Sequence, residues 1–69
     1  MRIESVIYQC KIISDDQYAI RCIFIYDNGY DYRGAELVRS GNPREWIEQC
    51  EAKMQPEDEL EIIDERVTS

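Results

Sequence analysis

Hydrophobic and polar residues alternate through the first part of the chain. Between Ile3 and Ile13 the even positions Val6, Tyr8, Cys10 and Ile12 make one apolar face, the period-two pattern of a half-buried strand. The polar run Ser14-Asp15-Asp16-Gln17 signals a turn. From Tyr18 to Asp27 the alternation resumes, with Tyr18, Ile20, Cys22, Phe24 and Tyr26 on one face and Ala19, Arg21, Ile23 and Ile25 on the other. Asn28-Gly29 then predicts a tight hairpin, because a two-residue type I′ turn needs positive φ at both central positions and Asn and Gly tolerate it best. Such a turn pairs Ile25 with Tyr32, Arg21 with Glu36 and Ile20 with Leu37. The opposite charges of Arg21 and Glu36 support that register. The third strand accordingly runs from Tyr30 to about Val38. In the first hairpin, a loop of Asp15, Asp16 and Gln17 sets Cys10 opposite Cys22.

The period changes after Gly41. Asn42 is a good N-cap, Pro43 fits the first helical position, and Glu45 suits a capping box. Trp46, Ile47, Cys50 and Met54 recur at helical spacing, while Glu45, Glu48 and Glu51 occupy the polar side. Gln55-Pro56 stops the helix at about Met54. Leu60 to Val67 reads as a last strand. The expected fold class is α+β: a small, mainly antiparallel four-stranded sheet with one helix on a face, in the order β-β-β-α-β. If the helix crosses back over the sheet, the last strand docks beside and parallel to the first.

At 69 residues the chain is expected to be a single domain, 1–69. A chain this short buries only about 60% of the surface its unfolded form exposes. A marginal core of that kind gains from a partner or a second copy, so monomer and homodimer both stay open. Fifteen acids against eight bases give a net charge of −7. That charge repels a free phosphate backbone and an anionic membrane surface, so direct nucleic-acid and membrane binding are disfavoured. The N-terminus "MRIESVIYQC" reads straight into a strand without the basic start and apolar core of a signal peptide, and a cytoplasmic location is the simplest expectation.

Candidate chemistry is sparse. The chain has no histidine, the side chain that titrates near neutrality without perturbation. Cys10, Cys22 and Cys50 form no C-x-x-C and lie within apolar patterns, as expected of small buried thiols. Asp27, Asp31 and Glu36 lack the ligand order and sixth-position glycine of an EF-hand. No catalytic constellation, metal site or cofactor is therefore expected. Arg33, Arg39 and Arg44 offer one further option, a small anion site near the helix N-terminus, set against ordinary surface charge. Tyr26, Tyr30 and Tyr32 flank the Asn28-Gly29 turn. Tyr30 and Tyr32, with Ile23 and Ile25, suggest an apolar interface on the sheet face that one helix leaves uncovered.

Charge placement carries the strongest functional signal. Residues 36–69 hold ten of the fifteen acids and four of the eight bases. On the helix these acids include Glu45, Glu48 and Glu51; around the last strand they are Glu57, Asp58, Glu59, Glu61, Asp64 and Glu65. If the helix and last strand are neighbours, these nine form a continuous acidic surface. One reading is solubility and protection of an edge strand; the other is complementarity to a basic protein site. A compact, histidine-free, strongly acidic chain of this length resembles the small inhibitors of phages and mobile elements, including anti-CRISPR proteins and other DNA mimics. The resemblance lies in the whole-chain profile, with those nine acids as its substance, and in no sequence motif. It implies a non-catalytic, stoichiometric blocker of a basic partner, such as a nucleic-acid-binding effector complex of host defence. The alternative is a small structural or adaptor subunit that associates through its tyrosine-bearing sheet face.

Overall fold

A computed structural model describes residues 1–66. Strands β1 (Ile3–Ser14) and β2 (Gln17–Tyr26) form a long antiparallel hairpin, followed by short strands β3 (Asp31–Arg33) and β4 (Leu37–Ser40), helix α1 (Pro43–Lys53) and strand β5 (Glu59–Asp64). The sheet runs β3-β2-β1-β5, with β4 also paired to β2. β1 and β5 are parallel, as the crossing helix anticipated. The fold is thus α+β with a mixed five-stranded sheet, in the order β-β-β-β-α-β, rather than a four-stranded mainly antiparallel one.

The extra strand comes from a break in the expected third one, and its cause is local. At the second hairpin the Gly29 N–H donates to the Tyr26 carbonyl (3.0 Å) and the Tyr26 N–H to the Tyr30 carbonyl (2.8 Å). Gly29 has φ +87°, whereas among the described residues no non-glycine residue has positive φ. Asn28 therefore does not adopt the left-handed conformation that a type I′ turn demands. The loop takes three residues, Asp27 to Gly29, with the glycine alone in the left-handed region. That added residue shifts the pairing by one: Phe24 faces Tyr32 and Ile25 faces Asp31, not Tyr32.

A second irregularity reverses the shift. Gly34 donates its N–H to the Cys22 carbonyl at 2.9 Å, and a Cβ on Gly34 would lie 3.1 Å from that same oxygen. One extra residue is absorbed between Arg33 and Leu37, as in a β-bulge. Beyond it Ile20 faces Leu37, as expected. Glu36 sits beside both Lys11 (3.2 Å) and Arg21 (3.7 Å), so the anticipated Arg21–Glu36 pairing forms.

In the first hairpin Ser14 pairs with Gln17 and only Asp15 and Asp16 form the loop. Cys10 then faces Ile20, and Cys22 faces Tyr8. The Cys10–Cys22 opposition that a three-residue loop would give is off by two residues, one from the shorter loop and one from a register shift between Ile12 and Ser14, and all three cysteines are free thiols.

Helix α1 starts as its sequence suggests. The Asn42 side chain accepts from the Arg44 N–H at 2.9 Å, and Pro43 opens the first turn. Glu45 reaches the first turn but closes no capping box among the described residues. The helix lays Trp46, Ile47 and Cys50 over the even face of β1 and β2, where Cys10, Tyr18 and Ile20 form the core with Ile12. Tyr8 meets Trp46 edge to face, with ring centroids 6.5 Å apart, and Lys53 Nζ sits 5.4 Å from the Tyr8 ring centre. Cys10 and Cys50, at 0% and 1% exposure, are the most deeply enclosed side chains. β5 ends at Asp64; of the expected strand to Val67, Glu65 and Arg66 lie beyond it and Val67 lies outside the described residues.

The long hairpin outruns its cover, giving a molecule 44 × 21 × 19 Å. β5 pairs with β1 only from Ile7 onward, and α1 covers the Tyr8–Ile20 end.

Gly29→Ala places a Cβ in the left-handed region, which costs roughly 1–2 kcal/mol. A thermal melt should then shift down by about 4–8 °C per kcal/mol for a chain of this size. An unchanged melt would remove the three-residue loop as the cause of the register.

Candidate interaction surface

The acidic residues divide into three groups by what surrounds them. Asp58 is structural. Its carboxylate accepts from the Val6 N–H through Oδ1 and from the Gln55 N–H through Oδ2, both at 2.9 Å. The Asp58 N–H in turn donates to the Gln55 carbonyl at 3.0 Å. The first bond ties the turn after α1 to the central strand across 52 residues of sequence. Asp58 is half-buried, and burial followed by the Asp58 carboxylate pushes the nearby Tyr8 phenol up. It was expected on the partner-binding surface, but both its oxygens are engaged inside the chain.

Asp64 is the second case. Arg66 clasps it, with Nη2 2.7 Å and Nε 3.3 Å from Oδ2, and Nε 3.0 Å from Oδ1. The same guanidinium reaches Asp15 at 3.3 Å. Hydrogen bonds from the Arg66 side chain, then from its backbone, hold the Asp64 carboxyl down at about 2.

The remaining seven, Glu45, Glu48, Glu51, Glu57, Glu59, Glu61 and Glu65, are exposed. Glu61 accepts one bond from the Gln9 side chain at 3.1 Å; the other six make no ion pair or side-chain hydrogen bond among the described residues. They do not lie on one plane. Glu45, Glu48 and Glu51 project from α1, above the even face of the sheet. Glu59 and Glu61 face Ile7 and Gln9 across the parallel pair, so they belong to the odd face, away from the helix. The acids form a ridge that wraps around the β5 edge.

Between α1 and β5 lies an open cleft of about 460 Å³, lined among others by Ile47, Glu51, Leu60, Ile62, Arg44 and Arg66. Its β5 wall is apolar at Leu60 and Ile62, its α1 wall mixes Ile47 and Pro43 with Asn42, Arg44 and Glu51, and the lining carries both signs of charge. Arg44 faces this cleft, whereas Arg33 lies on the odd face of β3 beside Asp31 at 3.8 Å. Arg33, Arg39 and Arg44 therefore do not converge on one anion site.

The expected second interface also divides. The one-residue shift in β3 sends Tyr30 and Tyr32 to the even face, since a slip of one residue turns every side chain over. There Phe24 stacks with Tyr32 at 6.5 Å and Tyr26 with Tyr30 at 5.9 Å. Ile23 and Ile25 lie on the odd face, and Ile23 is 5% exposed. The four residues thus make no single patch. What does emerge is an aromatic hairpin beyond the end of α1, where Tyr30 (57%) and Tyr32 (53%) are half bare. Beside it a smaller apolar groove of about 200 Å³ runs past Phe24, Leu37 and Trp46.

Burial pushes all three thiols up, away from the thiolate form that reacts. Among the described residues no group of three or more histidine, cysteine or acidic side chains is placed to hold a metal. No helix there is long and apolar enough to cross a membrane.

Two substitutions separate the structural acids from the free ones. Asp58→Ala leaves the Val6 and Gln55 donors without their charged partner and should cost about 1.5–3 kcal/mol per such bond at most. Glu57→Ala, one residue earlier and exposed, should stay within about 0.5 kcal/mol. Denaturant unfolding checks both, and equal losses would remove the clamp. For Asp64 the sign is set by its depressed value. Its contribution is present above the ordinary carboxylate range and is lost as pH falls from about 4 towards 2. Arg66→Ala should bring the Asp64 titration, followed by NMR, back up towards 3.8.

No family model, curated protein or solved structure matches the chain.

Proposed function

We propose that the chain is a non-catalytic, protein-binding inhibitor that presents its acidic ridge to a basic site on a partner. In its specific form, that site belongs to a nucleic-acid-binding effector of host defence, and the carboxylates occupy positions that phosphates take in the anti-CRISPR and DNA-mimic manner. One observation carries this reading. Six glutamates are exposed and unpaired among the described residues: Glu45, Glu48 and Glu51 on a capped helix, Glu59 on a strand hydrogen-bonded to the central strand, and Glu57 and Glu65 just before and just after that strand. Charges on ordered elements lose little freedom on binding, and unpaired ones have no internal partner to give up. The raised thiols and the lack of histidine speak against a nucleophile or an acid–base pair.

Association driven this way is fast and screened by salt, with a range of about 8–10 Å at 0.1–0.15 M ionic strength. A basic partner captured at low salt should be released at high salt. The triple variant Glu48→Lys, Glu51→Lys, Glu61→Lys should lose that partner while keeping its circular-dichroism spectrum. Binding that survives the triple reversal with its salt dependence intact would end this reading.

A second reading is supported by the half-bare Tyr30 and Tyr32 beside the Phe24–Leu37–Trp46 groove. It makes the chain an adaptor that docks through its aromatic hairpin. Because Ile25 and Tyr32 lie on opposite faces, Tyr32→Ala and Ile25→Ala probe different surfaces. Loss of association in Tyr32→Ala alone favours the aromatic hairpin.

A further inference from the structure

β5 is an edge strand, and its free edge has a definite chemistry. In a parallel pair the N–H and C=O of one residue point to the same side, and the side alternates along the strand. The Glu65 N–H donates to the Ile12 carbonyl at 2.9 Å. The backbone groups of Glu59, Glu61 and Ile63 therefore also turn towards β1, while those of Leu60, Ile62 and Asp64 turn outward. Among the described residues β5 has no second neighbour in the sheet. Its outward row is the template to which a further strand adds.

The side chains around this row are asymmetric. On the helix side, Leu60 and Ile62 border the cleft beneath α1, and Ile62 stays 49% exposed. The sheet stops one strand short of covering it. Arg44 and Arg66 line this cleft together with Asp15 and Glu51, and Arg66 is already paired to Asp15 and Asp64, so the helix side offers an arriving cation no net excess of negative charge. On the opposite side Glu59 and Glu61 flank the free edge, with no cation paired to either among the described residues. An incoming strand thus meets the apolar side chains of Leu60 and Ile62 on one face and the carboxylates of Glu59 and Glu61 on the other.

We infer that β5 accepts an extended segment of a partner protein as a sixth strand, and that this segment alternates apolar residues with lysine or arginine. Its apolar side chains cover Ile62 and enter the α1–β5 cleft, and its cations lie beside Glu59 and Glu61. This rests on the acidic-ridge reading and sharpens it, naming an extended basic strand as the partner's contact. Opposite charges on neighbouring strands are favourable by roughly 0.2–1 kcal/mol each, and like charges are unfavourable. That disfavours a second copy of β5, whose antiparallel pairing would set Glu59 and Glu61 against their own counterparts.

The test is an NMR titration of the isotope-labelled full chain with a blocked Lys-Val-Lys-Val-Lys-Val peptide at low salt. A control peptide keeps the lysines but replaces each valine with proline, which cannot supply the strand donors. The Leu60, Ile62 and Asp64 amides should shift downfield and gain exchange protection with the first peptide only. Ile62→Pro removes the central outward donor and should weaken binding at least tenfold. Because that N–H makes no bond to β1, the β1 amides should keep their shifts in this variant. If the variant loses the fold instead, Glu59→Lys with Glu61→Lys gives the same tenfold expectation without touching the backbone. Equal binding of both peptides, with shifts spread over the α1 amides, would overturn strand addition and leave the acidic ridge standing. Binding of neither at millimolar concentration would overturn both. Concentration-dependent protection of the outward β5 amides without peptide would overturn the basic partner in favour of a second copy.

Discussion

The Asp58 carboxylate stands where β5 would otherwise run out. Ahead of Glu59 the chain turns away towards α1, and the Val6 N–H, which points to the β5 side, has no strand carbonyl to meet. Asp58 Oδ1 supplies the acceptor at 2.9 Å, while Oδ2 takes the Gln55 N–H just past the end of the helix. One side chain thereby fixes where α1 ends, where β5 begins and how β5 is placed against β1. A charged acceptor suits the role, since such bonds are stronger than neutral ones. The ordering of the acidic ridge, the cleft beneath α1 and the free edge of β5 all follow from that placement.

A second constraint governs the other end of the molecule. The three-residue loop at Gly29 turns β3 over, and the bulge at Gly34 turns β4 back. Between them the aromatic residues of β3 join those of β2 on the even face, while Glu36 returns to its site between Lys11 and Arg21. The hairpin can therefore carry an aromatic surface at its tip and a charge-matched register at its base.

Much of this was readable from the residue pattern. Alternation gave both long strands, the Asn42-Pro43 start gave the helix, and the Trp46–Ile47–Cys50 stripe gave its buried side. The parallel docking of β5 followed from the crossing helix. The misses arose where backbone geometry competes at the level of one residue. Asn28-Gly29 fits both a two-residue and a three-residue turn, and only the φ at Asn28 decides between them. Gly34 carried a signal for the bulge, a glycine inside a strand pattern, which the charge match of Arg21 with Glu36 masked. Asp58 was hidden among six acids in ten residues, although a proline two positions earlier and a helix end five positions earlier mark a turn that such a side chain closes. Charge counts could not separate Asp58 and Asp64, which bond inward, from the glutamates that face outward.

The placement of the ridge depends on β5 being an ordered strand in parallel register with β1, and backbone hydrogen exchange in the free protein reads this directly. The account predicts alternating protection across the segment, with the amides of Glu61, Ile63 and Glu65 slow and those of Leu60, Ile62 and Asp64 fast. Uniformly fast exchange from Glu59 to Glu65 would contradict it, because the acids would then belong to a solvated tail instead of an edge held in place.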